Sequence, residues 1–172
     1  MDTKITANSV LISQASFLEQ MGAQWQQATN NEDSISLFLI DVDQFDDIRH
    51  KSGCVRKIIS ELDNVLNRDN DFITRFSRKK IMFLTSSMPY QQTRQLAERI
   101  HQVVAALDLR QIEGDMTTPR ITVSIGHITY TPVADSDYGI LDIISNVIKL
   151  CRQASHAGGN CSKTRLYSRV LR

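Results

Sequence analysis

The sequence predicts an α+β fold with a βαββαβ core, in which helices pack on a sheet that contains antiparallel strands. Three observations predict it. Short apolar runs alternate with longer segments whose apolar residues recur every three or four positions. Two of the short runs are separated only by a turn, which is typical of a β-hairpin. No internal repeat or linker divides the chain, so residues 1–172 are expected to form one domain.

The first part of the chain predicts a helix, a strand and a second helix. Asn8-Ser9 is a suitable helix cap, and the apolar residues after it have helical spacing, so an N-terminal helix is expected over about residues 9–29. The core is expected over about residues 34–167. It begins with the nearly continuous apolar run Ile35–Ile40, as in a buried strand, and continues with an amphipathic segment over residues 55–66.

The rest of the chain predicts a hairpin, a helix, a strand, a helix and a closing strand. Pro89 suits a helix start, Gly126 indicates a bulge or the close approach of another backbone, and Gly158-Gly159 suits a helix end. The predicted elements are a hairpin over Asp71–Thr85, a helix after Pro89, a strand over Ile121–Tyr130, a helix over about Tyr138–Ser155 and a strand over Lys163–Tyr167. This order predicts the split arrangement that is called ferredoxin-like.

Composition and charge restrict the classes of function. With 172 residues, 41% of them hydrophobic, the chain can bury a full core, and its net charge of +1 argues against a protein that mainly coats nucleic acid or an anionic membrane. There is no apolar run of transmembrane length and no signal-peptide pattern at MDTKITANS, so a cytoplasmic domain is expected, and an attached membrane or sensor segment stays open. The three cysteines lack metal-ligand spacing and are expected to be free thiols.

Charged side chains gather at two places in this scheme. Asp41 and Asp43 end the first core strand, where they can either hold a metal ion or simply solvate the loop. The hairpin turn is cationic, because it reads Ser77-Arg78-Lys79-Lys80. This turn can be solvated or can contact an acidic protein surface, while aromatic side chains that would stack on nucleic acid bases are not evident beside it. The four histidines lie apart in sequence and indicate no catalytic or metal site.

Four segments share the order and spacing of one family's motifs. LFLIDVDQFDDIRHKSG, which starts at Leu37, is similar to a hydrophobic strand followed by D-x-D-x-F-K-x-I-N-D-x-x-G-H. RFSRKKIMFL, which starts at Arg75, lies where the family has R-Y-G-G-D-E-F-x-x-L. TVSIG at residues 122–126 matches a family strand, and HAGGN at residues 156–160 lies where the family has K-x-x-G-R-N. Together they resemble the GGDEF (diguanylate cyclase) domains, over residues 6–167.

As the resemblance implies, members join two GTP molecules into cyclic di-GMP, one in each half of a dimer, with Mg²⁺ held by carboxylates. Asp41 matches the family's metal-binding aspartate and Phe45 its following phenylalanine, but most other functional positions differ. The signature Gly-Gly-Asp/Glu-Glu-Phe is replaced by Ser77, Arg78, Lys79, Lys80 and Ile81. The phosphate-contacting lysine is replaced by Asp46, and the guanine-contacting asparagine and aspartate are replaced by Arg49 and Ile58. The phosphate-binding lysine and arginine are replaced by Ser155 and Gly159. Because ammonium groups have no lone pair for a metal, we expect no catalysis and no cofactor, with Asp41 a vestige of the metal site.

One functional motif of the family is present in register. Members with product feedback carry R-x-x-D, which starts nine residues before the signature's first glycine, and counting back from Ser77 gives Arg68 and Asp71. A guanidinium can bind guanine or phosphate acceptors in a fork, and a carboxylate can accept from the guanine N1–H and amino group. Arg99 lies at about the position of a second arginine that the family often adds. The pair also suits a structural role at a helix-to-strand turn, where Asp71 can accept from backbone N–H groups.

The sequence therefore predicts an inactive domain that binds cyclic di-GMP through Arg68, Asp71 and Arg99 and reports its level to a protein partner or an attached regulatory domain. A ligand that bridges Arg68 and Asp71 of one subunit and Arg99 of another would couple binding to a homodimer. The alternative is a module for protein–protein interaction or dimerisation that binds no nucleotide. Neither a membrane nor nucleic acid is expected as a partner of this segment.

Overall fold

The computed structural model describes residues 9–48, 51–66, 68–107 and 120–167. Within these ranges strands alternate with long helices, and a short 3-10 turn lies at Phe45–Asp47. The strands are β1 (Ser9–Ile12), β2 (Ile35–Val42), β3 (Asp71–Ser77), β4 (Lys80–Ser86), β5 (Val123–Tyr130) and β6 (Ser162–Tyr167). The helices are α1 (Gln14–Asn31), α2 (Lys51–Val65), α3 (Tyr90–Leu107) and α4 (Ile140–His156).

The described strands form one sheet in the order β1-β3-β4-β2-β5-β6. In its centre β2 is antiparallel to both β4 and β5, and β3 is antiparallel to β4. The order β3-β4-β2-β5, with α2 and α3 in the connections, is the ferredoxin-like arrangement, so the predicted fold class is confirmed. At the two edges, β1 and β6 pair in parallel with β3 and β5.

Helices cover both faces of the sheet, and β2 is therefore buried on both sides. Phe38 and Ile40 belong to a core with α2 and α3, whereas Leu37 and Leu39 belong to a core with α1 and α4. All eight residues of β2 are buried, which explains why this strand is a nearly continuous apolar run and not an alternating one. None of the described helices is long and apolar enough to span a membrane.

The N-terminal helix begins later than the sequence predicts. Ser9–Ile12 is strand β1, paired in parallel with residues 71–74 of β3, so the predicted helix start at residue 9 is wrong. The pairing gives backbone hydrogen bonds to the edge of β3, and this long-range gain outweighs the local helical pattern. Helix α1 is capped instead by Ser13, whose Oγ accepts from the backbone N–H of Ser16 (3.1 Å). Asn8, the other predicted cap residue, lies outside the described residues.

Helix α4 lies directly on β5 at Gly126. A Cβ atom there would lie 2.5 Å from the backbone N of Cys151 and 2.5 Å from the backbone O of Val147. The predicted close approach of another backbone is therefore confirmed, and the pairing of β5 with β2 continues through Gly126 without a bulge. After α4, Gly158 and Gly159 have φ values of 115° and 76° and turn the chain toward β6, as the sequence predicts.

Candidate functional site

The carboxyl end of β2 meets the tip of the β3–β4 hairpin in a cluster of charged side chains. Asp41 pairs with Lys80 across β2 and β4, and the backbone N–H that follows Asp41 donates to the carbonyl of Lys79 (3.0 Å). On the other side of β2, the N–H of Asp43 donates to the carbonyl of Thr122 (3.0 Å). Backbone pairing on both sides therefore fixes two aspartates and two lysines in one place.

Asp43 is bound into the fold by hydrogen bonds. Its Oδ1 accepts from the hydroxyl of Ser124 (2.6 Å), and its Oδ2 accepts from the hydroxyl of Thr122 (2.7 Å) and the backbone N–H of Asn160 (2.8 Å). The carboxylate thereby joins the end of β2 to β5 and to the loop before β6. A Cβ atom on Gly159 would lie 2.8 Å from the Asp43 Cγ, so the loop can approach only with glycine there. This geometry supports the structural interpretation of Asp43.

Asp41 has a different environment. The residue is 8% exposed, and its Oδ1 is buried without a hydrogen-bond partner in the described part of the chain. The Lys79 Nζ lies 3.7 Å from this Oδ1, which is an ion-pair distance but too long for a hydrogen bond. Burial raises the pKa of Asp41, while the positive charges of Lys79 and Lys80 oppose that rise. Asp41 is therefore a buried carboxylate whose countercharge comes from the hairpin tip.

The rest of the hairpin tip is exposed but ordered by contacts. The Arg78 side chain is 76% exposed, with Nη2 3.6 Å from the Asp46 Oδ1 and the guanidinium carbon 5.5 Å from the centre of the Phe45 ring. Arg75 Nη2 donates to the carbonyl of Arg78 (2.8 Å). From the start of α1, Gln14 Nε2 donates to the carbonyl of the residue after Arg75 (2.8 Å). The cationic turn is thus part of the fold, and Asp46 partly offsets its charge.

These side chains do not fit a divalent metal ion. Mg²⁺ is held in proteins through one or two carboxylates. Here both oxygens of Asp43 accept hydrogen bonds, and the buried Oδ1 of Asp41 faces the Lys79 ammonium. No group of three or more His, Cys, Asp or Glu side chains that could hold a metal exists among the described residues. Two positions match the family's guanine-contacting residues. Ile58 of α2 is fully buried in the core, and Arg49 lies outside the described ranges.

Arg68 and Asp71 form the turn between α2 and β3, and Asp71 is tied into it. Asp71 is 2% exposed, its Oδ2 accepts from the backbone N–H of Arg68 (3.3 Å), and its own N–H donates to the Arg68 carbonyl (3.1 Å). Burial raises the pKa of Asp71, and hydrogen bonds from Thr85 and from the Arg68 backbone oppose the rise. Arg68 is half-buried, and its Nη1 donates to the Thr85 hydroxyl (3.3 Å). The carboxylate therefore holds the turn, and the guanidinium lies at its partly open side.

Arg99 lies elsewhere in the fold. Its side chain is exposed on α3, where it borders an open groove of about 930 Å³ between α3 and β6. Arg94, Ser162 and Thr164 line the same groove. Arg68, in contrast, contacts Thr85 of β4. The two arginines therefore lie beside different strands, because β2 and β5 separate β4 from β6 in the sheet.

Thr85, the side-chain partner of the Arg68 turn, is not among the residues that the sequence predicts for the site. A signal for it exists, because Phe72 pairs with Leu84 in the hairpin register and the next pair outward is Asp71 with Thr85. The three donors to Asp43 are not among them either; they come from the start of β5, from the residue before it and from the loop before β6. No local signal reveals them, because they lie 79 to 117 residues away along the chain.

A buried histidine lies between β5 and α3. His127 is 0% exposed, its ring stacks on Phe38 with centroids 4.2 Å apart, and its Nε2 lies 2.8 Å from the Thr129 Oγ1. Its Nδ1 is buried without a partner in the described part of the chain. Desolvation lowers the pKa of His127 to about 3. The ring is therefore a neutral core group in this fold.

Comparison with known families and structures gives one family and many similar folds. Residues 8–161 match the family model described as "Diguanylate cyclase, GGDEF domain". No curated protein matches the chain. Among solved structures, the GGDEF domain of DgcB from Caulobacter crescentus in complex with c-di-GMP has a TM-score of 0.77 at 18% identity, over 90% of this chain and 91% of that one.

Two further structures show the same fold. The GGDEF domain of FimX from Pseudomonas aeruginosa has a TM-score of 0.73 at 17% identity, over 90% of this chain and 94% of that one. The diguanylate cyclase SiaD in complex with its activator SiaC, also from Pseudomonas aeruginosa, has a TM-score of 0.73 at 17% identity, over 90% of this chain and 58% of that one. At such identities the similarity establishes the fold.

Proposed function

The chain belongs to the GGDEF (diguanylate cyclase) domain family, and we propose that this member has lost catalysis and serves as a receptor for cyclic di-GMP. Loss of catalysis is supported by the charge of the hairpin tip. The Lys79 ammonium lies 3.7 Å from Asp41, the residue that matches the family's metal-binding aspartate. At such distances two like charges repel by several kcal/mol even with an effective dielectric constant of about 20. This repulsion disfavours a divalent metal ion on the side of Asp41 that faces Lys79.

The receptor function is carried by the Arg68 guanidinium. It lies at the family's R-x-x-D position, and its single hydrogen bond to a described side chain is the one to Thr85. A guanidinium has five N–H donors in a fixed fork, so donors are left for guanine or phosphate acceptors. Asp71 is buried and satisfied by the turn, so its role in this proposal is to position Arg68 and not to contact the ligand. This assignment differs from the direct contact that the sequence alone predicts.

Arg99 enters the proposal through a second copy of the chain. It is exposed on α3 beside the groove against β6, whereas the Arg68 turn contacts β4. A ligand held by Arg68 of one subunit and Arg99 of its partner would favour a homodimer when cyclic di-GMP is present, since binding to the dimer alone shifts the equilibrium by mass action. A protein partner or attached domain would then respond to the assembled state.

A second candidate is a module that binds no nucleotide and acts by protein–protein contact or dimerisation. The burial of Asp71 at 2% exposure favours it, because the carboxylate already has its partners inside the chain. The Arg78 side chain, 76% exposed at the hairpin tip, could contact an acidic protein surface. The structural similarity to SiaD, solved in complex with its activator SiaC, is compatible with such contacts.

Isothermal titration with cyclic di-GMP tests the receptor proposal. We expect micromolar or tighter binding that Arg68→Ala weakens by at least about tenfold, because a hydrogen bond to a charged group contributes about 1.5–3 kcal/mol and 1.4 kcal/mol is tenfold. Arg56→Ala, which removes an exposed arginine from α2, is the matched control and should bind like wild type. Absence of heat at millimolar ligand would reject the receptor and leave the interaction module. Product formed from GTP and Mg²⁺ would reject the loss of catalysis.

A further inference from the structure

The buried Asp41 carboxylate is paired with a cation that belongs to the chain itself. We propose that the Lys79 ammonium takes, in this protein, the place of a metal ion at the end of β2, and that Lys79 is the residue that closes this place to divalent cations. The inference rests on the proposed loss of catalysis but concerns a site separate from the Arg68 turn, so the metal-binding test below and the titration with cyclic di-GMP can fail separately.

The position of Lys79 is set by backbone pairing. Its carbonyl accepts from the first backbone N–H after Asp41 (3.0 Å), and the next residue, Lys80, pairs directly with Asp41 across β2 and β4. The backbone that carries the Lys79 side chain is therefore fixed beside Asp41 by the pairing of β2 with β4. An accidental surface ion pair would lack this restraint and would contribute little.

The Lys79 ammonium is the countercharge of the Asp41 carboxylate. The Asp41 Oδ1 is buried and has no hydrogen-bond partner among the described residues, and the Lys79 Nζ at 3.7 Å is the cation that faces it. The neighbouring carboxylate, Asp43, uses its oxygens for Ser124, Thr122 and Asn160. An ionised carboxylate without a partner is costly in such a place, so the ammonium supplies the countercharge that burial requires.

A bound metal would need the same space and the same lone pairs. Mg²⁺ and Mn²⁺ are held by oxygen atoms, and an ammonium supplies none while repelling the ion. Replacing Lys79 with an acidic residue would remove the repulsion and add a second carboxylate facing Asp41. One or two carboxylates are enough to hold such an ion together with its water molecules.

Binding of Mn²⁺ to the full chain, followed by electron paramagnetic resonance of the free ion, tests the proposal. We expect Lys79→Asp to bind Mn²⁺ at least tenfold more tightly than wild type, and Asp41→Asn in the same background to abolish the gain. Arg56→Asp is the matched control, because it makes the same change of charge at an exposed side chain of α2, away from Asp41. It should bind like wild type.

Three outcomes would overturn the proposal: wild type that binds Mn²⁺ as tightly as Lys79→Asp, a Lys79→Asp protein with no gain, or an equal gain in Arg56→Asp. Circular dichroism would confirm that each variant is folded. If Lys79→Asp does not fold, Lys79→Asn decides the question, because its amide oxygen is a metal ligand and carries no charge. This variant should also bind more tightly than wild type, and a value equal to wild type would reject the assignment.

Discussion

His127 makes the stability of this fold sensitive to mild acid, and the effect can be calculated. In the unfolded chain a histidine takes up a proton near pH 6.5, whereas the buried ring of His127 does so only near a pKa of about 3. Between these two values the unfolded state binds more protons than the folded state. The free energy of unfolding therefore rises with pH in this window and falls as the pH falls from 6.5 toward 3.

The size of the loss follows from the two pKa values. Lowering the pH from about 7.5 to about 5 protonates most of the unfolded chains and almost none of the folded ones at His127. The linkage relation then gives a loss of about 2 kcal/mol in the free energy of unfolding. This is a large part of the 5–15 kcal/mol that stabilises a typical domain.

The perturbation that tests this calculation is His127→Gln. Glutamine has a similar volume, does not titrate and can keep the hydrogen bond to Thr129, which lies 2.8 Å from the histidine Nε2. We expect the variant to lose about 2 kcal/mol less than wild type between about pH 7.5 and about pH 5. The comparison uses the change with pH, so any constant loss of stacking on Phe38 cancels out.

Urea denaturation at both pH values provides the measurement, with circular dichroism and the fluorescence of Trp25, the single tryptophan, as probes. His156→Gln is the matched control, because it removes an exposed histidine from the last turn of α4. This control should lose as much stability as wild type. If His127→Gln also loses as much, the acid sensitivity comes from other groups and our interpretation of the buried ring is wrong.

Two further predictions concern close packing and the Arg68 turn. Gly126→Ala should lower the free energy of unfolding by about 1–3 kcal/mol, because its Cβ would meet the α4 backbone, whereas Gly22→Ala, with open space in α1, should raise it by about 0.5–1 kcal/mol in urea denaturation. Equal effects would contradict the close approach. Asp71→Asn should gain stability relative to wild type as the pH rises from about 4 to 7, because the raised pKa of Asp71 means that the folded state loses stability as the carboxyl ionises. A constant difference in parallel pH titrations would refute this.

The elements of the sheet could be predicted wherever local pattern and burial agree. Strand β2 is covered on both faces, and its nearly continuous apolar run predicts such a buried strand. The hairpin pairs two strands that are separated only by a short turn, so its pattern is local in the sequence. Strand β1 could not be predicted, because its stability comes from residues 71–74, far away in the chain. The helical spacing around Met21 predicts the helix itself, but the start of the helix depended on that distant pairing.

The candidate site divides in the same way. The family's motif spacing predicts Asp41, Lys79 and Arg68 as site residues, since each position follows from counting along the chain, and their roles in binding stay predictions. The difference between Asp41 and Asp43 could not be predicted, because two neighbouring carboxylates on one strand look alike until their partners are known. Three hydrogen bonds satisfy Asp43, and an ammonium faces Asp41. Partners distant in sequence therefore decide which carboxylate is structural and which is charge-paired.

The presence of Asp41 in a chain with a cationic hairpin tip follows from this pairing. A buried carboxylate is costly without a countercharge, and the Lys79 side chain, which is 45% exposed, supplies one while keeping part of its hydration. With Lys79 in place, Asp41 has its countercharge without any metal. The aspartate is then explained by electrostatics within the fold, and it is no argument for residual metal binding. By the same reasoning, Asp41 and Lys79 form one unit, and a substitution at either position should be compensated best by a substitution at the other.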